Sequence, residues 1–315
     1  MRILVTGSAG FIGYHLSKRL LERGDTVIGI DNLNDYYDVN LKKDRNKILK
    51  SFQGYSFFKI DIAEYDKLNK CFVNADAVIH LAAQAGVRYS LKNPLVCGRN
   101  NLLGFLNVLH LTKESGSPHF IYASSSSVYG NCKEKPFGED FKLDTPISLY
   151  AATKKSNELL AHAYHHNYGL SCTGFRFFTA YGEYGRPDMA YYSFAKNISE
   201  GKPIAVYGKG KLTRDFTYIA DIVDGIVAAI DKPRKYEVYN LGRGEPQNLL
   251  KFIQCIETAI GKKAKIKFVK TPPSDVQSTF ADTSKARRNL SYKPKVSMEE
   301  GIERFIDWYK VYHEI

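Results

Sequence analysis

Nowhere in the 315 residues does an apolar run approach the eighteen or so that a membrane-spanning helix requires. The opening stretch Met1-Arg2-Ile3-Leu4-Val5-Thr6-Gly7 is too short an apolar segment for a secretory signal, so neither a membrane nor a secretory route is expected. Cysteine is sparse. Cys71, Cys97, Cys132, Cys172 and Cys255 are odd in number, scattered, and never in CxxC or Cys/His spacing. That argues against a disulfide framework and against any metal site, and it favours a reducing, cytoplasmic setting. Repeats and low-complexity segments are also missing. Acidic residues are outnumbered, 33 against 45 Lys and Arg, for a net charge of +12. The stretch 231–295 alone holds 15 Lys/Arg against 6 Asp/Glu. The positives come singly among apolar residues, as in Lys262-Lys263-Ala264-Lys265-Ile266-Lys267, with no arm, finger or recognition-helix pattern. Nucleic acid is therefore not an expected partner, and the charge reads as a solvated face or as attraction for an anionic ligand.

What is present is a globular composition, 44% hydrophobic and 25% charged, long enough for one large domain or two ordinary ones. Short β-type runs alternate with helical stretches through the first half, which predicts an α/β fold: a Rossmann-type, doubly wound parallel sheet. Strands are expected at 3–6, 26–30, 55–60, 77–81, 119–123 and 170–178. Helices are expected at 11–22, 98–113 and 146–168. After Tyr181 the alternation loosens among Gly182, Gly185, Pro187, Gly201, Pro203, Gly208 and Gly210, which predicts a smaller, loop-rich α/β region for substrate. A strand at 238–241 looks like a return to the sheet. The expected division is a dinucleotide-binding domain over 1–179, with 236–262 returning to it, and a substrate-binding region over 180–315.

Two motifs carry chemistry. Gly7-Ser8-Ala9-Gly10-Phe11-Ile12-Gly13 follows a strand and opens a helix with GxxGxxG spacing. In such a turn Gly7 permits the tight bend, Gly10 the approach of a pyrophosphate, and Gly13 close helix–strand packing, with the pyrophosphate on the free N–H groups of the helix start. Asp31, 18 residues past Gly13 at the end of strand two, suits the ribose hydroxyls and repels a 2′-phosphate, so NAD is expected over NADP. Asp61, ending strand three, is placed either to meet the adenine or to cap the next helix. The second motif is Tyr150-Ala151-Ala152-Thr153-Lys154, whose Tyr and Lys share one helical face, downstream of the run Ser124 to Ser127. An ammonium beside a phenol favours the phenolate, and a serine hydroxyl can share the proton. That trio suits removal of a proton from an alcohol as its hydride leaves to a nicotinamide. His15 and His80, alone on apolar elements, read as packed residues rather than catalysts.

Together with His80-Leu81-Ala82-Ala83 and Val128-Tyr129-Gly130, these motifs make the chain resemble the extended short-chain dehydrogenase/reductases that act on nucleotide sugars. The likeness runs in order from Arg2 to at least Ala281. Several stretches look most like the UDP-glucuronate 4-epimerases: Asp31 through Asp38, Ala83 through Arg88, Arg176-Phe177-Phe178-Thr179, Gly185 through Met189, and Arg214 through Tyr218. The resemblance implies Ser125 and Tyr150 as the proton-handling pair, with Lys154 lowering the tyrosine pKa and holding the nicotinamide ribose. It puts Gly7, Gly10, Phe11, Ile12, Gly13, Asp31, Asn32, Asp61, Ile62, Leu81, Ala83 and Asn101 on NAD positions. Thr179 falls on a sugar or phosphate contact, Arg214 on a diphosphate contact, and Asp275 on a uridine-ribose contact. Cys97, Asn100 and Thr271-Pro272-Pro273-Ser274 depart from the family pattern.

Related sugar-nucleotide dehydratases carry Asp-Glu after the catalytic hydroxyl. Ser126 and Ser127 stand there here, so elimination is disfavoured and oxidation at C4 with return of the hydride to the opposite face is the implied reaction. A 4-keto glucuronate is a β-keto acid, and its carboxylate must be held out of line with the carbonyl. Arg186 is the candidate holder, helped by Thr179, Arg88 or Ser127, because a guanidinium grips a carboxylate on two nitrogens. The alternatives are a neutral UDP-glucose or UDP-N-acetylhexosamine epimerase, a UDP-glucuronate decarboxylase, and a non-catalytic NAD-binding sensor. The expected partners are the UDP-sugar and, as the family implies, a second copy of the chain.

Overall fold

The computed structural model describes residues 1–270 and 278–315. Its first half runs β1 (Arg2–Thr6), α1 (Phe11–Glu22), β2 (Thr26–Asp31), α2 (Val39–Lys50), β3 (Tyr55–Lys59), α3 (Tyr65–Cys71) and β4 (Ala77–His80). There follow α4 (Val87–Lys92), α5 (Pro94–Gly98), α6 (Gly104–Glu114), β5 (His119–Ser125), α7 (Leu149–Tyr168) and β6 (Ser171–Phe177). The apolar strands are buried on both faces, as a parallel sheet covered by crossover helices demands. With β11 (Tyr236–Leu241) they form one seven-stranded sheet in the order β11-β6-β5-β4-β1-β2-β3. All its pairings are parallel. The chain winds outward from β1 to β3, then crosses back to lay β4 on the other side of β1. That reversal opens a crevice beyond the carboxyl ends of β1 and β4, where ligands of such sheets sit.

The second half contributes β7 (Thr179–Tyr181), α8 (Ala190–Ser199), β8 (Pro203–Tyr207), β9 (Thr213–Arg214), β10 (Phe216–Tyr218) and α9 (Ile219–Asp231). After β11 come β12 (Gln247–Asn248), α10 (Leu249–Ile260), β13 (Lys265–Val269), α11 (Ser284–Leu290) and α12 (Met298–Tyr312). Three two-stranded sheets, β10–β7, β12–β9 and β13–β8, tie these pieces together. Helix α9 lies on α1, whereas α10 packs on α8 and α12. One apolar cluster runs without a break from Ile3 and Val27 under the sheet to Phe252 and Phe305 in the second half.

Several elements differ from expectation, and α3 and α4 lie outside every expected helix. Helix α2 was not anticipated, because its charged run hides the face that buries Leu41 and Leu49. The helix foreseen at 98–113 is interrupted by a π-turn at Arg99–Leu103. Helix α7 starts at Leu149 rather than 146 because Ser148 caps it, accepting the Ala151 N–H at 3.1 Å, and it stops at Gly169, whose φ of 68° ends the coil.

Candidate active site

The dinucleotide turn is built as its spacing implies. Gly7 has φ 74°, and a Cβ there would lie 2.7 Å from the Ala82 nitrogen. A Cβ on Gly13 would lie 2.0 Å from the Gly7 carbonyl oxygen. These contacts leave no room for any other residue. Gly10 enters α1 with no side chain capping the helix start, so the first N–H groups remain for an anion. Asp31 accepts from the Leu33 N–H at 2.8 Å and the Ala9 N–H at 3.2 Å, one on each oxygen. Burial pushes its pKa up, against those bonds and the nearby Lys42 and Arg45 charges. Each oxygen keeps a lone pair for a hydroxyl. Glycines that a Cβ would block, an uncapped helix start and an acid at the end of β2 fit a dinucleotide.

A cleft of about 260 Å³, partly open to solvent, runs from this turn to the end of β5. Of the expected NAD positions, Gly7, Gly10, Phe11, Ile12, Gly13, Asp31, Asn32, Ile62, Leu81 and Ala83 line it. Asp61 and Asn101 do not. Asp61 is held by Arg99 at 2.7 Å and by the Ala63 N–H at 2.9 Å. Asn101 is buried and spends its amide on Gln84, Cys97 and Thr153, locking the 84–85 loop to α7. Its neighbour Asn100 faces the cleft instead.

Ser125, Tyr150 and Lys154 line the far end of the same cleft. The Ser125 hydroxyl donates to Ser127 Oγ at 3.1 Å and accepts the Ser127 N–H at 3.1 Å. Lys154, only 1% exposed, donates to the Ala123 carbonyl at 2.8 Å, and its Nζ lies 5.9 Å from the Tyr150 ring centre. Burial brings the Lys154 pKa down to about 8, with Cys97 opposing. Burial also raises Tyr150; Arg186 and the Ser125 hydroxyl pull it back. The group expected to lower the tyrosine was Lys154. Its ammonium gives one of its three N–H donors to the strand-end carbonyl, and Arg186 is a further cation acting on the phenol.

Arg88, Ser126, Ser127, Thr179 and Arg214 line a second cavity beside the first. The two meet at the serine run, with Ser125 facing one and its two successors the other. Arg88 rests on the Tyr207 ring at 4.7 Å and donates to its hydroxyl; Arg214 donates to the Thr213 carbonyl. Arg186 lines the dinucleotide cleft, not the second cavity. Its Nε and Nη2 grip the Asp188 carboxylate at 3.0 and 2.5 Å. Asp275 lies outside the described residues.

The sequence reading did not find Arg45. It is fully buried on α2 and donates to Ala9 O of the dinucleotide turn, to Tyr37, and to the carbonyls of Tyr184 and Gly185. The only signal available was a basic residue in a charged segment, which reads as surface. His80 and His15 are packed, as expected. His80 bonds Thr6, His15 meets the Glu183 carbonyl, and burial takes their pKa values to about 3 and about 4.

Fold, dinucleotide turn and the Ser125, Tyr150 and Lys154 side chains in one cleft are those of an NAD-binding sugar-nucleotide enzyme of the extended short-chain dehydrogenase/reductase type. The chain belongs to the NAD dependent epimerase/dehydratase family, whose model matches residues 3–242. It is 48% identical to a UDP-glucuronate 4-epimerase of Thermodesulfobacterium geofontis over 98% of this chain and 95% of that protein. Among solved structures it is similar to a mutant UDP-glucuronic acid 4-epimerase from Bacillus cereus in complex with UDP-4-deoxy-4-fluoro-glucuronic acid and NAD. That likeness has a TM-score of 0.94 and 39% identity, over 99% of this chain and 100% of the other. A UDP-glucose 4-epimerase of Thermotoga maritima, with UDP-glucose, matches at TM-score 0.90 and 29% identity over 99% of this chain and 100% of the other.

Proposed function

We propose that this protein is a UDP-glucuronate 4-epimerase that interconverts UDP-glucuronate and UDP-galacturonate through a transient 4-keto sugar, with NAD as its cofactor. The observation that carries the choice of an acidic sugar is the position of Arg186. It lies in the cleft that holds Ser125, Tyr150 and Lys154, close enough to influence Tyr150 ionisation. NAD, when bound, supplies a hydride acceptor that can return the hydride to the sugar. Gly7, Gly10, Gly13 and the α1 start would hold its pyrophosphate, and Asp31 its adenosine ribose. Tyr150 takes the C4 hydroxyl proton, Ser125 shares it, and Lys154 keeps a positive charge beside the phenol. Ser126 and Ser127 offer no acid or base for elimination. Arg88, Thr179 and Arg214 line the neighbouring cavity and suit the diphosphate and sugar. Arg186 holds the sugar carboxylate away from alignment with the C4 carbonyl.

Residues 1–179, with 236–262 returning, would form the NAD-binding part, and 180–315 mainly the UDP-sugar part. Support for a homodimer comes from leucines exposed beside α7: Leu91, Leu95, Leu103 and Leu106, with Leu159 on α7 itself. Such a patch on a helical face is what a self-complementary interface covers. Five free cysteines and no helix among the described residues long and apolar enough to span a membrane fit a cytoplasmic enzyme.

The test is one incubation of purified protein, with no NAD added, followed by ion-exchange separation and NMR of the sugar. UDP-galacturonate rising to equilibrium is the expected product. UDP-xylose with CO₂ would make the protein a decarboxylase, and UDP-galactose formed only from UDP-glucose would overturn the substrate. Inactivity on both sugars with NAD supplied would favour a sensor. Arg186→Ala should lose at least about tenfold in kcat/KM on the acid, and unchanged activity would sink the acidic-sugar reading.

A further inference from the structure

The guanidinium of Arg186 has two edges that can each offer a parallel pair of N–H groups, the Nε–Nη2 side and the Nη1–Nη2 end. Asp188 fills the side edge, Oδ1 on Nε and Oδ2 on Nη2. The Tyr36 hydroxyl donates to the same Oδ2 at 2.9 Å, and its ring lies 5.7 Å from the guanidinium carbon. Tyr36 itself stands on the loop that leaves Asp31 and packs edge-on against Tyr89. Asp188 and Tyr36, from two separate loops, therefore fix the plane of one arginine at the cleft wall.

Resting on the epimerase reading above, we propose that Asp188, braced by Tyr36, is the positioning residue that sets the enzyme's preference for an acidic sugar, by reserving the end-on Nη1–Nη2 edge of Arg186 for the substrate carboxylate. An arginine side chain has several rotatable bonds, and holding it before the substrate arrives removes that ordering from the binding step. A neutral sugar has no charge to match the reserved edge, so its affinity does not depend on the brace. Although burial works the other way, Arg186 and Tyr36 hold the Asp188 carboxyl below its usual pKa, so the brace stays charged at neutral pH. The role is distinct from catalysis, since Asp188 handles no proton.

The experiment uses the NAD-loaded enzyme and compares UDP-glucuronate with UDP-glucose, by steady-state kinetics and by calorimetric binding. Asp188→Asn keeps the shape and removes the charge; it should raise KM and Kd for UDP-glucuronate about tenfold, leave kcat within about twofold, and leave UDP-glucose binding unchanged. Tyr36→Phe should do the same to a smaller degree, about threefold. Bound NAD, counted after release, should stay at the wild-type level in both. An unchanged KM would overturn the proposal. So would a lower KM, which would make Asp188 a competitor of the sugar carboxylate, and so would equal weakening of both sugars. A wild-type enzyme that binds the two sugars alike would also overturn the proposal, and one that forms no UDP-galacturonate would instead overturn the epimerase reading itself, before any variant is compared.

Discussion

At the residue scale the lysine and tyrosine proposed for catalysis are shifted in opposite directions. Burial lowers Lys154 to about 8 and raises Tyr150, so near neutral pH the lysine stays charged, while the phenol depends on Arg186 and the Ser125 hydroxyl to favour the phenolate that a base role requires. The depressed lysine has a thermodynamic signature. Below pH 8 it is protonated in both the folded and the unfolded chain, and its burial cost is fully present. Between about 8 and the unfolded value near 10.4 the unfolded chain binds more protons, so stability attributable to Lys154 rises with pH. Urea unfolding of the NAD-stripped protein at pH 7.5 and 9.5 should show the wild type gaining about 2 kcal/mol relative to Lys154→Met. Lys42, also lowered to about 8 by burial, is common to both proteins and cancels. A flat difference between the two pH values would mean that Lys154 titrates near its ordinary value.

At the element scale, α7 carries the site because it is bolted down. Tyr150, Lys154 and Glu158 recur every four residues on one face. Glu158 accepts from Ser124 at 2.6 Å on β5 and from Arg176 at 2.9 Å on both oxygens from β6. Burial raises the Glu158 pKa, and the Arg176 bonds more than offset it. Glu158→Gln leaves Arg176 buried beside an uncharged amide, which should cost about 3–5 kcal/mol in unfolding free energy measured with urea. A loss under about 1 kcal/mol would show that Tyr129 and the Glu139 carbonyl, the other partners of Arg176, are sufficient. The elements also show where sequence is readable. The sheet strands were legible because continuous apolar runs have one use in a parallel sheet, and α1 because its start and stripe were both marked. Helix α2 was not, since Lys42 and Arg45 are charged yet buried and a hydropathy pattern assigns such residues to solvent. The glycine turn, the serine run and the Tyr–Lys pair were legible as local motifs. The Arg186–Asp188–Tyr36 brace was not, because it forms only when loops 150 residues apart meet.

At the scale of the whole molecule, the two halves are joined by polar contacts as well as by a shared core. Arg45 spans from the dinucleotide turn to the carbonyls just before Arg186, and His15 and Tyr14 of α1 meet Glu183 and Tyr184. The loop that carries Arg186 is thus referenced to the dinucleotide turn as well as to its own half. Along α7, the helices α4, α5 and α6 pack beside it and leave Leu95 at 86% and Leu159 at 62% exposed. An apolar residue so exposed gains nothing in a monomer, but a two-fold interface would bury each such leucine twice, once in each copy. If that face is the dimer interface, Leu95→Glu combined with Leu159→Glu places four carboxylates in one assembly and should convert a dimer of about twice 35.6 kDa into a monomer by light scattering. Catalysis should persist in the monomer to the extent that α7 holds its place without a partner, since the site residues described here come from one chain. A double variant that remains dimeric would move the interface elsewhere, and the leucines would then need another occupant.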